Sequence, residues 1–543
     1  MKIRNSLNLG VSVQWLGTLN GAKNVALTAA LKVALKLTVS VTCVGVMLPA
    51  TAWAQTDNAA SNVASNVASH VASNATSPVL TSANNAPVPM TSASVHGMAP
   101  ADESEMPALP ANADADVRRG AYLAVAGDCI ACHVAKAGKP FAGGLAIATP
   151  LGVIYSTNIT PSKTAGIGNY TLEQFGAALR DGKRADGAQL YPAMPYTAYS
   201  KLNDADISSL YAYFMHGVQP VDEAAPKTAL PFPFNMRFSM AGWNLLFANG
   251  KPFVPDVSQN AEWNRGAYLV EGLAHCSTCH TPRNFLMAEE TSKMLSGGYV
   301  GTWFAPNITS DATSGLGSWS TADLTQYLHS GVASGVAQAA GPMAEAIHHS
   351  FSHMSDSDVH AMAVYLKGVP AIHDAADTQA PGTWGKPVAD SDQVRGQAWP
   401  ADANKLSGAQ LYDANCASCH GAKGQGTPDG GLPSLFHNTA VGHIQADNMV
   451  MTILQGDPLA QGVAMPAFAD KLSDQQVATL SNYLVEQFGN PATPKVTADQ
   501  VQTMRAGGAP SPLLKLAHIG MVVAVIIVLL LILLVIVLRR RRR

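Results

Sequence analysis

Charged residues are scarce in this chain of 543 residues, and many of its cations lie at its two ends. Only 13% of the residues are charged. Residues 1–54 contain five of the 34 Lys and Arg residues, and residues 539–543 contain five more, which leaves 24 cations against 37 acids between them. That middle part carries a formal charge of −13. Because nucleic acids bind through cationic side chains, this charge predicts no nucleic-acid partner and favours docking on proteins.

Cysteine is also scarce. Apart from Cys43, which falls in the apolar run near the N-terminus, the chain has six cysteines, and all occur as C-x-x-C followed directly by His. The motifs are CIACH at 129–133, CSTCH at 276–280 and CASCH at 416–420. Two thiols one helical turn apart can add to the vinyl groups of a porphyrin, and the adjacent imidazole can bind its iron. This is the attachment signature of haem c.

Other uses of paired cysteines explain the pattern less well. A zinc site built from two C-x-x-C pairs needs no His after each pair. A thioredoxin-like motif needs a βαβ context, which the sequence lacks. Ordinary disulfides explain neither the spacing nor the histidines. We therefore predict three covalently bound haems c. The predicted attachment residues are Cys129, Cys132, Cys276, Cys279, Cys416 and Cys419, and the predicted proximal iron ligands are His133, His280 and His420.

The sixth iron ligand decides the chemistry, since a Met/His iron transfers electrons whereas an open iron binds oxygen or peroxide. Met194 in LYPAMPY and Met465 in GVAMPAF each precede the last predicted helix of their module. Met343 in AAGPMAEAI is the favoured ligand in the second module. The competing ligands there are Met354 and Met362, interpreted as helix core residues, and His348, His349 and His353. His275 is interpreted as a surface residue, and the carbonyl of Pro433 or of a neighbour is expected to accept a hydrogen bond from His420.

The sequence around the motifs repeats. RRGAYLAVAGDCIACH (118–133) matches NRGAYLVEGLAHCSTCH (264–280), and SGAQLYDANCASCHG (407–421) is a looser copy. YSTNITPSKTAGIG (155–168) also matches FAPNITSDATSGLG (304–317). Each copy ends in a predicted helix, over 202–214, 354–366 and 472–484. The repeats predict three small helical domains, at 116–250, 258–372 and 400–490.

The two ends predict export and anchoring. Residues 1–54 have the cationic region, apolar run and A-x-A site of a signal peptide. Residues 55–115 are rich in Ala, Ser, Asn and Val, which predicts a disordered tether. Residues 513–538 are predicted to form one transmembrane helix, because 519–538 lack charge and span about 30 Å as a helix. The arginines of 539–543 predict a cytoplasmic tail, so the chain is expected to cross the cytoplasmic (inner) membrane once, with its haem domains in the periplasm.

The order of these motifs resembles the three-haem cytochrome c subunit of membrane-bound periplasmic dehydrogenases of the alcohol, gluconate and sugar type, known from acetic acid bacteria and other proteobacteria. The resemblance implies an all-α fold of three tandem class I cytochrome c domains with one C-terminal transmembrane helix. It also implies a catalytic dehydrogenase subunit carrying PQQ, FAD or molybdenum, and ubiquinone as electron acceptor; a small third subunit is a further candidate partner. In that family the residues that match His133, His280, His420, Met194, Met343 and Met465 are the axial ligands.

Two features depart from the family pattern. The tether is unusually long, and the apolar span with its arginines is stronger than the short amphipathic tail of the alcohol-dehydrogenase type. Anchored members of the family resemble the flavoprotein systems for sugars or sugar acids more. The chain has no dinucleotide-binding fingerprint and no long β-rich domain, so we expect an electron-transfer subunit and not a catalyst on its own. The alternatives are a membrane-anchored carrier that feeds a terminal oxidase, and a haem peroxidase with the iron of the second module open.

Overall fold

The computed structural model describes residues 107–543. Short gaps in this description fall at residues 136–137, 249, 334, 389–393, 429–430, 459–463 and 510. The predicted signal peptide and residues 55–106 of the predicted tether lie outside the described residues. The first described helix begins at Ala115, where the side chain of Asp114 accepts a hydrogen bond from the Val117 N–H. Ala113 is buried, so the packed structure starts within the last residues of the predicted tether.

The described chain is mostly helical, in three successive segments. The first contains helices α1 (Ala115–Ala126), α2 (Cys129–Cys132), α3 (Leu172–Asp181), α4 (Tyr196–Tyr199), α5 (Asp204–His216) and α6 (Ser239–Phe247), with strands β1 (Ala146–Thr149) and β2 (Gly152–Tyr155). The second contains α7 (Ala261–Tyr268), a π-helical turn (Leu269–Leu273), α8 (Ser277–His280), β3 (Gly298–Val300), β4 (Trp303–Ala305), α9 (Thr321–Ser330), β5 (Val332–Ala333), β6 (Ala337–Gln338), α10 (Gly341–His349) and α11 (Asp356–Gly368).

The third segment leads into the C-terminal helix. It contains α12 (Gly408–Asn415), α13 (Ala417–His420), α14 (Thr439–Gly442), α15 (Asp447–Gln455), α16 (Asp474–Phe488) and α17 (Ala498–Arg505), and it is followed by α18 (Leu513–Arg541). Short 3₁₀ turns lie at Thr291–Lys293, Phe351–His353, Pro381–Thr383 and Ala403–Lys405.

Three antiparallel β-hairpins, β1–β2, β3–β4 and β5–β6, depart from the all-α expectation. Their strands are two to four residues long, which is too short for an alternating pattern to distinguish them from loops. The fold is therefore mostly helical with small hairpins, and the hairpins lie between the CxxCH motif of a segment and the helix that ends it.

The predicted last helix of each segment is confirmed as α5, α11 and α16. Each begins at an aspartate directly after a capping side chain, which is Asn203, Ser355 or Ser473. Each also crosses the first helix of its segment, namely α1, α7 or α12.

Each first helix contains a Gly-Ala pair at the same position of the repeat, and the glycine of this pair allows the helices to cross closely. A Cβ added at Gly120 would overlap the carbonyl oxygen of Ser209 on α5, and one at Gly266 would overlap that of Ala361 on α11. A Cβ at Gly408 would overlap the side chain of Tyr483 on α16. The same close helix contact therefore recurs in all three segments. It leaves no room for a Cβ, so each of these positions requires glycine.

The described hydrophobic residues form two cores. One extends from Ala113 to Val369 and is shared by the first two segments, and the other extends from Leu406 to Val501 within the third. The core of the third segment includes α17, whose Arg505 donates from Nε to Asp474 Oδ1 at 2.8 Å and also donates to the carbonyls of Ala469 and Leu472. The first two segments are thus joined by buried apolar surface.

The C-terminal helix α18 contains 29 residues, all of which are described and at least partly exposed. Its mean hydropathy reaches 3.9 in its most apolar window, and by length and composition it could cross a membrane. The helix includes the first three arginines of the tail, from Arg539 to Arg541.

Candidate haem attachment sites

Each CxxCH motif folds into one helical turn. The backbone N–H of the histidine donates to the carbonyl of the first cysteine in every copy, at 3.0 Å for His133, 2.9 Å for His280 and 2.9 Å for His420. Because one turn of helix separates the two cysteines, their thiols project from the same side, with the imidazole directly after them. The structure thus brings together the predicted attachment residues within each motif.

The three imidazoles share one hydrogen-bonding arrangement. His133 Nδ1 lies 2.6 Å from the carbonyl oxygen of Thr157, and His280 Nδ1 lies 2.6 Å from that of Pro306. His420 Nδ1 lies 2.9 Å from the carbonyl oxygen of Pro433, as the sequence predicted. A carbonyl can only accept, so Nδ1 carries the proton in each ring. This leaves Nε2 with its lone pair available for iron.

The matched segments 155–168 and 304–317 provide two of these carbonyls, from the residue before Asn-Ile-Thr in each. Asn158 Oδ1 accepts from the N–H and hydroxyl of Thr160, and its Nδ2 donates to the carbonyl of Val221 at 2.8 Å. Asn307 Oδ1 accepts in the same way from Thr309, and its Nδ2 donates to a carbonyl near the end of the segment. The asparagines therefore fix the loops that face His133 and His280. The sequence repeat had marked these segments without revealing this role.

Burial sets the protonation states in the sites. It lowers the pKa of the imidazoles of His133, His280 and His420, which favours the neutral form that binds a metal. It also raises the pKa of thiols in all three motifs, to about 12 at Cys129, Cys276 and Cys416 and to about 11 at Cys279.

None of the six cysteines forms a disulfide, and the described residues contain no group of three or more His, Cys, Asp or Glu side chains that could hold a metal ion. The helical turn of each CxxCH motif, with the imidazole directly after the two thiols, fits thioether attachment of haem. Haem c attached here would supply a one-electron iron couple.

A cavity of about 600 Å³ joins the second and third motifs. Its volume lies within the range of about 300–1,000 Å³ that is usual for sites of small molecules and cofactors. Both motifs contribute to one continuous wall, as do two of the predicted methionine ligands. The motif and methionine residues on the wall are Cys276, Cys279, His280, Met343, Cys416, Cys419, His420 and Met465.

Met343 lines the cavity, whereas the competing candidate ligands of the second motif, all of which the structure describes, do not. Met343 lies in the first turn of α10 and lines the cavity. Met354 and Met362 are buried in the core that the first two segments share, which agrees with their interpretation as core residues. Among the described residues that line the cavity, none is one of the three competing histidines, His348, His349 and His353.

The first motif contacts the second segment directly. Helix α10, which carries Met343, packs against α2. The hydroxyl of Tyr199 donates to the carbonyl of Gly127 at 2.8 Å, and its ring meets the His275 ring edge-on with centroids 5.8 Å apart. Burial lowers the pKa of His275 to about 4. The prediction that His275 is a surface residue was wrong, because this side chain lies at the joint between the first two segments.

Met194 is partly buried against the shared core, in the loop between α3 and α4, and its N–H donates to the carbonyl of Tyr191. Met465 is partly buried against the core of the third segment, and its carbonyl accepts from the Asp457 N–H at 2.9 Å. Both methionines thus lie between helices, ahead of the last helix of their segment.

Comparison with known families identifies the class of the third segment. Residues 403–484 match the family model described as cytochrome C oxidase, cbb3-type, subunit III. This match and the CxxCH geometry define a cytochrome c domain that binds haem c.

Longer relatives identify the family of the whole chain. The chain is 49% identical over 424 residues to the fructose dehydrogenase cytochrome subunit of Gluconobacter japonicus, which covers 75% of this chain and 86% of that one. It is 42% identical over 417 residues to the gluconate 2-dehydrogenase cytochrome c subunit of Pantoea cypripedii (72% and 90%). It is 39% identical over 415 residues to the cytochrome c subunit of an alcohol dehydrogenase (quinone) of Gluconobacter oxydans (73% and 84%).

The chain therefore belongs to the family of cytochrome c subunits of membrane-bound dehydrogenases, which confirms the resemblance seen in the sequence. Its function is electron transfer, and the family implies a catalytic dehydrogenase subunit as its partner.

Proposed function

We propose that the chain carries three covalent haems c and passes electrons from a catalytic dehydrogenase subunit to ubiquinone. The haems are held by the three cysteine pairs, with His133 and Met194, His280 and Met343, and His420 and Met465 as axial ligands. The observation that carries this proposal is the arrangement common to the three motifs: one helical turn, with an imidazole whose Nδ1 faces a backbone carbonyl.

Three tandem cytochrome c domains of class I, near 116–250, 258–372 and 400–490, would hold these haems. The close crossing of first and last helix at Gly120, Gly266 and Gly408 supports the same fold in each. The second site adjoins both others, through the packing of α10 on α2 and through the cavity it shares with the third motif. This adjacency suits a relay, because the second site lies between its neighbours.

The anchor and the acceptor belong to the same proposal. Helix α18 would span the inner membrane once, with its arginines in the cytoplasm and the haem domains in the periplasm. This position would hold the chain beside the quinone pool. The quinone in the name of the Gluconobacter oxydans relative supports ubiquinone as acceptor.

The partner dehydrogenase would carry PQQ, FAD or molybdenum, and we propose a sugar or sugar acid as its substrate. The two relatives with the higher identities, 49% and 42%, act with fructose and gluconate dehydrogenases by name, against 39% for the alcohol dehydrogenase relative. A small third subunit is a further candidate partner.

The test uses the complex purified in mild detergent from membranes that express the full chain. Its mass should show three haems on this polypeptide, and fructose or gluconate should drive reduction of added ubiquinone. A variant with Cys276→Ser and Cys279→Ser should keep two haems. Fewer than three haems on the parent chain would overturn the haem count. Reduction by none of fructose, gluconate or ethanol, together with reduction of the haems by ubiquinol, would identify a carrier to a terminal oxidase.

A further inference from the structure

Helix α6 turns an apolar stripe towards solvent. All nine of its residues, each of which the structure describes, are at least partly exposed. Phe238, which caps the helix, is 74% exposed, Leu245 is 81% exposed and Leu246 is 62% exposed. With Ala241 and Gly242, these residues follow the i, i+3, i+4, i+7, i+8 spacing of one helix face. A surface helix of a soluble domain normally turns such a face towards the core.

The side of α6 that carries Trp243 and Asn244 faces the protein. Asn244 Oδ1 accepts from the hydroxyl of Tyr196 at 2.7 Å, and its Nδ2 donates to Gln189 Oε1 at 2.9 Å. Trp243 Nε1 donates to the carbonyl of Leu286 at 3.0 Å. These bonds fix the rotation of the helix, so the apolar stripe is held outward by specific contacts. Phe285, next to Leu286, is 77% exposed.

The C-terminal helix meets the chain beside this stripe. Nε2 of His518, near the start of α18, donates to the carbonyl of Phe232 at 2.9 Å. Phe232 is itself exposed and lies six residues before Phe238. The chain thus passes from its contact with α18 at Phe232 to the start of the stripe at Phe238 within six residues. The chain between Phe232 and Phe238 contains a further aromatic ring, at Phe234.

We propose that α6 lies in the outer interface of the membrane, with the stripe formed by Phe238, Ala241, Gly242, Leu245 and Leu246 in contact with lipid. The proposal rests on the proposed function, in which α18 spans the membrane. Apolar residues on one face, and aromatic rings at the level of the lipid headgroups, are typical of interfacial helices. The contact would add a second attachment to the membrane beside the span, and it would fix the tilt of the first cytochrome domain.

The other candidate occupant of this surface is the catalytic dehydrogenase subunit. The hydrogen bond between His518 and Phe232 favours lipid, because the surface lies where the span enters the bilayer. An exposed apolar patch of this kind needs a partner of some kind. The experiment must therefore separate lipid from protein.

The test places spin labels on the full, haem-loaded chain in nanodiscs that contain one copy each. Leu245→Cys and Leu246→Cys carry the label at the stripe. Val522→Cys in α18 is the lipid reference, and Asp356→Cys, whose side chain is 98% exposed, is the water reference. The unsubstituted chain gives the labelling background. Collision of each label with oxygen, which enters lipid, and with a water-soluble nickel complex is measured by EPR.

We expect labels at 245 and 246 to lose collisions with nickel and to gain collisions with oxygen, as the label at 522 does. Nickel access equal to that at 356 would overturn the proposal if 522 remains in lipid. Nickel access in the chain alone that disappears when the dehydrogenase subunit is added would overturn it in favour of a protein interface. Nickel access at 522 itself would instead show that the proposed membrane span is wrong.

Discussion

Tyr268 on α7 donates its hydroxyl to Asp206 Oδ2 on α5 at 2.6 Å, across the joint between the first two segments. The relationship is reciprocal, because Tyr122 on α1 donates to Asp358 Oδ2 on α11, also at 2.6 Å. Each aspartate is also paired with the arginine of its own segment, Asp206 with Arg119 and Asp358 with Arg265. The two segments are thus joined by two equivalent hydrogen bonds, each from a tyrosine of one segment to an aspartate of the other. We call this pair of hydrogen bonds the reciprocal lock.

Removal of the exchanged hydroxyls should weaken the joint. Tyr268→Phe should lower the free energy of unfolding by about 1.5–3 kcal/mol, because a hydrogen bond to a charged carboxylate is lost at a site closed to solvent. Tyr122→Phe should act in the same direction. Chemical denaturation followed by circular dichroism in the haem absorption band measures the effect. The control is Tyr155→Phe, which removes a hydroxyl that has no hydrogen bond to any residue the structure describes, and an equal loss in that variant would contradict the lock.

The lock should also respond to acid. Burial on its own would raise the pKa of Asp358, but the hydrogen bonds and charge of Arg265 and the hydroxyl of Tyr122 outweigh it, and the pKa is lowered. A carboxyl with a lowered pKa in the folded state stabilises the protein above its ordinary value of about 4, and this stabilisation is lost as the pH falls through the lowered value.

We therefore expect the thermal midpoint to fall with pH below about 4, and the fall to be smaller in Asp358→Asn than in the parent. Asp356→Asn changes an exposed carboxylate on the same helix and should keep the slope of the parent. Differential scanning calorimetry at a series of pH values provides the measurement. The same acid slope in Asp358→Asn as in the parent would refute the assignment.

Replacing Met343 should open the second site alone. Met343→Ala should leave one haem of the three able to bind cyanide, because the wall of the cavity loses its thioether there. Met354→Leu is the matched control, since Met354 is buried in the core, and it should bind no cyanide. Optical titration with cyanide measures both variants. Cyanide binding by His349→Ala but not by Met343→Ala would show that a histidine is the ligand.

Asn307 should affect the midpoint potential of the haem in the second site, because it holds the loop that faces His280. Asn307→Ala removes hydrogen bonds to Thr309 and to the Ile372 carbonyl, at an expected cost of about 1–3 kcal/mol in stability. A looser carbonyl at Pro306 weakens the hydrogen bond from Nδ1, which makes the imidazole less basic, so the midpoint potential of one haem should rise.

Spectroelectrochemical titration measures the midpoint potentials. Asn158→Ala should shift the midpoint potential of a different haem. Potentials that stay unchanged in both variants, despite lower stability, would show that these loops have only a structural role.

The sequence was most informative where chemistry fixes the spacing of residues. The CxxCH turns, the last helices and the carbonyl of Pro433 could all be predicted, because one helical turn or one cap dictates them. The reciprocal lock could not, since Tyr122 and Asp358 lie 236 residues apart and a tyrosine in a helix pattern is most simply a core residue. The burial of His275 could not be predicted either, because its partner Tyr199 is also distant in the sequence.

The third segment shows why repeats alone do not predict such joints. It has Ser407 and Gln410 where the first two segments have arginine and tyrosine, and these two residues form a capping box within their own helix. The third segment accordingly keeps a core of its own.

The most direct test of the account is rapid mixing of the oxidised complex with fructose or gluconate, with haem c absorbance and ubiquinone reduction recorded together. The account predicts that all three haems are reduced at a rate no slower than turnover with ubiquinone, and that Met343→Ala slows quinone reduction without preventing the first haem reduction. Reduction of ubiquinone at full rate while the haems stay oxidised would contradict the role of this chain as the electron relay.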